Sequence, residues 1–391
     1  MDKYRENRIK IIEKLEKLRN SKLLVYVTSD RPPIGARIAE DAVRPMYDHL
    51  LAIQNQSSKP IDNLDLFVYS RGGDVSVPWR IISMLREFSK NISILVPYKA
   101  YSATTMIALG MDKIIMGKKA ELGPIDPTLV KTNLSETPTP PQEISVEDVS
   151  SYISFMKERV NLNDQEALSK LVSLLATHIT PLALGSVNRQ YSHIRLVAKK
   201  LLTSRNEKID DSKVNSIIEA LTEKMYSHGH AIGRKEAQEI GLPIEVANKE
   251  IEKQMWRLYL EYENLLELNN PLDFEEILIG KEEHEVKDLI LAAIESKNLL
   301  HTFKQNLVIK KQRKLPQNPQ INLNINVPLP PNIDINTLPQ NVQQAIQQVL
   351  QELSKTIPSM VNQELVRQSP IAGIEVKGYG GKWKQEKMKN S

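Results

Sequence analysis

Two consecutive turns carry the residues whose types and spacing could do chemistry. Ser70-Arg71-Gly72-Gly73 closes the apolar run Leu64–Tyr69, and Pro97-Tyr98-Lys99-Ala100-Tyr101-Ser102 closes the apolar run Ile92–Val96. A glycine pair lets backbone N–H groups approach a ligand with no Cβ in the way. Such N–H groups steady the oxyanion that forms when an acyl group is transferred. A serine at a strand-to-helix turn offers its hydroxyl beside free helix N–H groups. Each feature also has an ordinary structural explanation: the serine as a helix N-cap and the glycines as a tight turn. Together, in neighbouring turns, they point to an acyl-transfer site.

The elements that position these turns read as an alternation. Strand Leu64–Tyr69 is followed by an amphipathic helix with Trp79, Ile82, Leu85 and Phe88 at helical spacing. Strand Ile92–Val96 is followed by the small, apolar helix Ala103–Leu109, and then by strand Lys113–Met116. This order predicts an α/β fold built on a parallel sheet with right-handed crossovers. Ligands in such folds sit at the carboxyl ends of the strands, where both turns lie.

The chain also resembles a known family. The motifs are SDR at 29–31, DAVRPMYDHL at 41–50, YSRGGD at 69–74, PWRI at 78–81, VPYKAYSATTMIALGMDKIIM at 96–116 and ELGPIDP at 121–127. PLALGSVNRQYSHIR at 181–195 and YSHGHAIGRKEAQEIGLP at 226–243 follow in order. The pattern is similar to the Clp-fold serine proteinases of the serine dehydrogenase proteinase type, within the ClpP/crotonase superfamily, over roughly residues 20–310. The resemblance implies a ClpP/crotonase-like core of repeated ββα units with helical additions and an extended C-terminal arm. It implies Ser102 as nucleophile and the N–H groups of Gly73 and Ala103 as oxyanion donors, with Gly72 shaping the turn.

The base does not carry over directly. Clp proteases place a histidine after the nucleophile helix, but no histidine lies between residues 50 and 177. Three substitutes remain. Lys131 stands in the loop where some relatives carry a lysine base. His228 and His230 flank the position of the acidic triad member, and an imidazole needs little tuning to act near neutral pH. Their spacing permits metal binding, but no third ligand is evident and no metal is expected. Lys99, three residues before Ser102, reads as packing at the strand end or as an electrostatic helper, and Asp126 as a turn-former. No dinucleotide fingerprint GxGxxG is present, so no cofactor is expected.

Composition sets the outer bounds. The chain has 391 residues, 52 basic and 48 acidic, for a net charge of +4. That balance gives no reason to expect nucleic-acid binding. With no cysteine, disulfides and a thiol nucleophile are excluded, and a cytoplasmic location is expected. Four regions are expected: an N-terminal amphipathic helix at 1–20, a catalytic domain at 21–248, a helical extension at 249–314, and a Pro/Asn-rich arm with a short helix and basic tail at 315–391. The N-terminal helix is read as packed on its own domain or a partner subunit, with membrane-surface contact the lesser reading. Residues 273–312 read as further helices with a strand near Leu307–Ile309, residues 132–143 as a surface loop, and the last residues as disordered. The predicted activity is peptide-bond hydrolysis on a polypeptide substrate by a homo-oligomer. The alternatives are a crotonase-type acyl-CoA enzyme, disfavoured because YSATT replaces a glycine-rich turn, and a catalytically silent scaffold.

Overall fold

The computed structural model describes residues 3–56, 60–125, 128–130, 143–178, 181–222, 229–314 and 338–386. Lys131, Asp126, His228, nearly all of the 132–143 loop and the Asn/Pro-rich segment 315–337 lie outside the described residues.

The helices are α1 (Lys3–Arg19), α2 (Val43–Gln54), α3 (Val77–Phe88), α4 (Ala103–Leu109), α5 (Val146–Glu158), α6 (Gln165–His178), α7 (Pro181–Thr203), α8 (Asp211–Thr222), α9 (Arg234–Ile240), α10 (Lys249–Leu265), α11 (Phe274–Ile277) and α12 (Gln340–Gln368). The strands are β1 (Lys22–Thr28), β2 (Ile61–Tyr69), β3 (Ser89–Val96), β4 (Lys99–Ala100), β5 (Lys113–Met116), β6 (Glu121–Leu122), β7 (Thr128–Val130), β8 (Glu143–Ser145), β9 (Ile244–Val246), β10 (Glu283–Glu295), β11 (Leu300–Arg313) and β12 (Ile371–Gln385). The fold is mixed α/β, with helices around a large central sheet, as expected.

The chain divides into two compact units. The first holds residues 1–272, 290–305 and 381–391; the second holds 273–289 and 306–380. Strands β10, β11 and β12 run from one into the other.

In the first unit β1, β2, β3, β5 and β9 pair in parallel, and β10 joins β1 antiparallel. The register lines up Leu24, Leu66, Ile94 and Ile114 across four strands, and Val25, Phe67, Leu95 and Ile115 one residue on. Because side chains alternate along a strand, these rows face opposite sides. The first row packs under α2, α3, α4, α7, α8 and α9; the second packs under α1 and α10. With both faces covered, the inner parts of the strands are mostly apolar, with Asp65 and Ser93 as buried polar exceptions.

Local sequence explains the helices around the site. All seven residues of α4 are buried, which suits a helix with no charged residue on any face. Helix α9 stops at Gly241, which takes the left-handed conformation at φ 98°. Asn248 Oδ1 caps α10 by accepting from Glu250 N and Ile251 N. The apolar stripe of α1 is covered: Ile11, Ile12 and Leu15 are buried against α10 and the sheet. Arg5 Nε and Arg8 Nε donate to the two oxygens of buried Glu295, which also accepts from Tyr262 O–H.

Two expectations need correction. Of the helices expected over 273–312 only the four-residue α11 is present, and residues 283–295 and 300–313 form strands β10 and β11, the second spanning the strand expected near Leu307–Ile309. LILAAIE has good helix formers, but pairing of Val25 with Glu295 and of Thr28 with Ala292 overrides propensity. The basic tail through Gln385 is also a strand. Trp383 packs on the core, its ring 6.3 Å from Tyr26 and 5.6 Å from Phe303.

In the second unit Tyr379 O–H bonds Glu285, and Arg313 bonds Glu282 and the carbonyl of Ser369. The short helix expected in the arm is α12, which runs for 29 residues from Gln340 to Gln368.

Candidate active site

The carboxyl ends of β1, β2 and β3 converge. Ser70 N donates to Lys99 O at 3.0 Å and Tyr101 N donates to Ser70 O at 3.1 Å, which fastens the two turns side by side. Thr28 Oγ1 donates to Ser70 Oγ at 2.7 Å, and Gly72 N donates to the same oxygen at 3.1 Å.

The glycines are required by geometry. Gly72 has φ 105°, and a Cβ there would stand 2.7 Å from Tyr101 O and 2.8 Å from Ser102 Cβ. At Gly73 a Cβ would enter the backbone of Ile38. Ile38 N donates to Gly72 O and Asp74 N donates to Ile38 O, each at 2.8 Å. Those bonds come from the neighbours on either side, so the N–H of Gly73 itself points away from Ile38.

Ser102 is half-buried and holds φ 50° and ψ −116°, a backbone state an L-residue rarely adopts. It stands at the N-cap position of α4, yet its side chain makes no capping bond. The N-cap explanation of this serine therefore fails on its own criterion. Ala103, first residue of α4, has an N–H with no carbonyl one turn back. Below, Thr105 Oγ1 lies 2.8 Å from both Ala100 O and Gly123 O and accepts from Gly123 N at 3.1 Å.

Lys99 and Asp30 form the charged flank. Asp30 accepts from Tyr69 O–H at 2.7 Å, Arg71 Nε at 2.9 Å and Lys99 Nζ at 3.0 Å. Burial alone would raise the Asp30 carboxyl, but these donors outweigh it and hold it below its ordinary value. Lys99 is thereby tied to Asp30 at the end of the strand.

His230 lies near β6: Ile232, two residues on, exchanges both backbone bonds with Leu122, at 2.8 and 2.9 Å. Leu122 in turn pairs with Ala100. His230 Nε2 is 2.8 Å from Glu236 Oε1 on α9, and both side chains are over a third exposed. Glu236 lies within the motif at 226–243, where its type and spacing mark no role, and only the fold brings it to the imidazole. Among the described residues no group of three or more potential metal ligands is present.

The chain is similar to known proteins over part of its length. The model of the ClpP-like SDH-type serine proteinases matches residues 1–140. Over these 140 of its 391 residues the chain is similar to that family. The matched stretch holds both turns, Ser102 and Glu121, and ends before His230. An uncharacterized protein of Methanocaldococcus jannaschii is 26% identical over 259 residues, 64% of this chain and 78% of its own length. A second uncharacterized protein of that organism is 35% identical over 66 residues, 17% of this chain and 23% of its own length. Among solved structures, ClpP1 of Listeria monocytogenes shares 11% identity, covering 60% of this chain and 98% of its own, at a TM-score of 0.32. The ClpP protease catalytic domain of Plasmodium falciparum shares 14%, covering 64% and 93%, at a TM-score of 0.32. Among the described residues no helix is long and apolar enough to cross a membrane.

Proposed function

We propose that the protein is a serine peptidase that hydrolyses peptide bonds through Ser102. The observation that carries this reading is the backbone of Ser102, held at φ 50° against Gly72 with its hydroxyl released from capping. Strain of this kind persists where the surroundings enforce it, and here the enforcing contact is the glycine turn. In the proposed reaction Ser102 Oγ attacks the scissile carbonyl carbon and a new C–O bond forms. The carbonyl oxygen becomes an oxyanion, which the N–H groups of Gly73 and Ala103 stabilise. The C–N bond then breaks, the amine leaves with the proton taken from Ser102, and water hydrolyses the acyl-enzyme.

The base in this proposal comes from the shortlist Lys131, His228 and His230. His230 is favoured, since Glu236 holds its Nε2 and leaves Nδ1 to receive the serine proton. The substrate class is polypeptide, and a homo-oligomer is the proposed assembly.

A fluorophosphonate probe on the full chain tests the reading. Labelling should occur and should disappear in Ser102→Ala at unchanged oligomeric state. His230→Ala should slow labelling by roughly 10²- to 10⁴-fold, while His228→Ala and Lys131→Ala should not. Labelling that survives Ser102→Ala ends the proposal. No labelling together with turnover of an acyl-CoA thioester would favour the crotonase chemistry, and neither activity would leave a scaffold.

A further inference from the structure

A cleft of about 660 Å3 opens on the other face of the sheet, where the ends of β3 and β5 meet the first turns of α10. Met255 and Trp256 supply apolar surface; Lys118, Lys119, Lys249 and Lys253 supply charge. Met255 is buried, while the indole of Trp256 stays 38% exposed, backed by Tyr259 at 5.0 Å between ring centroids.

The charges are unequal. Among the described residues Glu252 is the one acidic residue lining the cleft, and it is engaged: it accepts from Lys118 N at 2.6 Å and lies 3.9 Å from Lys118 Nζ. Lys119 Nζ pairs with Glu121 at 3.1 Å. Lys249 and Lys253, one helical turn apart on the same side of α10, form no ion pair among the described residues. Four lysines, two on α10 and two in the loop after β5, thus border one apolar hollow, and Glu252 and Glu121 answer only the two in the loop. Like charges gathered this way repel and gain nothing for the fold.

We propose that this cleft binds a small polyanion carrying a flat ring, of the nucleotide class. The ring would lie on Trp256 and the phosphates would meet Lys249, Lys253 and Lys118. A lone carboxylate would leave most of these lysines unanswered. A long polyanion would need a basic track, whereas the chain as a whole is nearly neutral. The volume lies in the range of small-ligand sites. The proposal is independent of the peptidase reading, because Ser102 does not line the cleft; Pro97, the first residue of its turn, is the one part of that turn that does.

Calorimetry and tryptophan fluorescence on the full chain, with ADP as probe, test it. ADP should bind saturably with a dissociation constant below about 1 mM and should change a fluorescence signal that is lost in Trp256→Phe. Adenosine and pyrophosphate should each bind about tenfold or more weakly than ADP. Lys249→Glu with Lys253→Glu should weaken ADP binding by about tenfold or more at an unchanged melting temperature, whereas exposed Lys170→Glu should leave it unchanged. The proposal is overturned by absence of saturable ADP binding, by binding that the double lysine variant does not weaken, or by an acidic peptide that displaces ADP from the cleft.

Discussion

Tyr101 donates its hydroxyl proton to Glu121 Oε2 at 2.5 Å, one residue before Ser102. Burial first, and then this bond, push the phenol well above its ordinary value, so it remains a donor at every working pH. The Tyr101 ring lies over Gly123, where a Cβ would stand 3.0 Å from Tyr101 Cδ1. With Lys99 paired to Glu121 and Ala100 to Leu122, the serine turn is braced from the side of β6.

Removing this brace should reach the serine without unfolding the protein. Tyr101→Phe should slow fluorophosphonate labelling by about tenfold through displacement of Ser102, with little change in urea midpoint. Gly123→Ala, which presses on the same ring, should act in the same direction. Unchanged labelling in both variants would remove Tyr101 as a positioning residue.

Gly72 tests the turn itself. Alanine there must take φ 105° and meet Tyr101 O and Ser102 Cβ at under 3 Å. The expected result is loss of labelling together with about 1–3 kcal/mol of stability, measured by denaturant titration. Retained labelling at full stability would contradict the close approach of the two turns.

The buried carboxylate of Glu295 should matter more than any surface pair. It accepts from Arg5, Arg8 and Tyr262, and both its partner guanidinium groups are buried. Glu295→Gln leaves those positive charges uncompensated and should cost about 3–5 kcal/mol. Hydrogen exchange should show α1 loosening first. A loss under about 1 kcal/mol, as for an exposed pair, would show that the charges are not sealed from water.

Acid should weaken the fold through His49. Its Nδ1 is 2.7 Å from Ser296 Oγ and its Nε2 is 3.0 Å from His301 Nδ1. Burial first, then the neighbouring His301 and Arg5, pull His49 down from 6.5 to about 3. The unfolded chain therefore takes up a proton near its ordinary value while the folded chain refuses it. Stability is full above about pH 6.5 and should fall between there and about pH 3, by up to about 1.4 kcal/mol per pH unit. Urea midpoints across pH 7 to 5 measure this slope, and His49→Gln should flatten it. An equal slope in that variant would assign the acid sensitivity elsewhere.

The order of strands and helices from Leu64 to Met116 and the pairing of a glycine turn with a serine turn were both legible in the sequence. Each rests on short-range causes: an apolar run, a helical period, or a residue that tolerates a left-handed backbone. The hairpin of β10 and β11 and the strand that carries Trp383 were not, because partners far along the chain decide a strand whose residues also suit a helix. The same holds for the polar contacts. Asp30 gathers Tyr69, Arg71 and Lys99, and Glu295 gathers Arg5 and Arg8 from 290 and 287 residues away. The sequence named Ser102. Its released hydroxyl, its strained backbone and the carboxylate beside His230 are properties of packing, because each depends on which segments the folded sheet brings side by side.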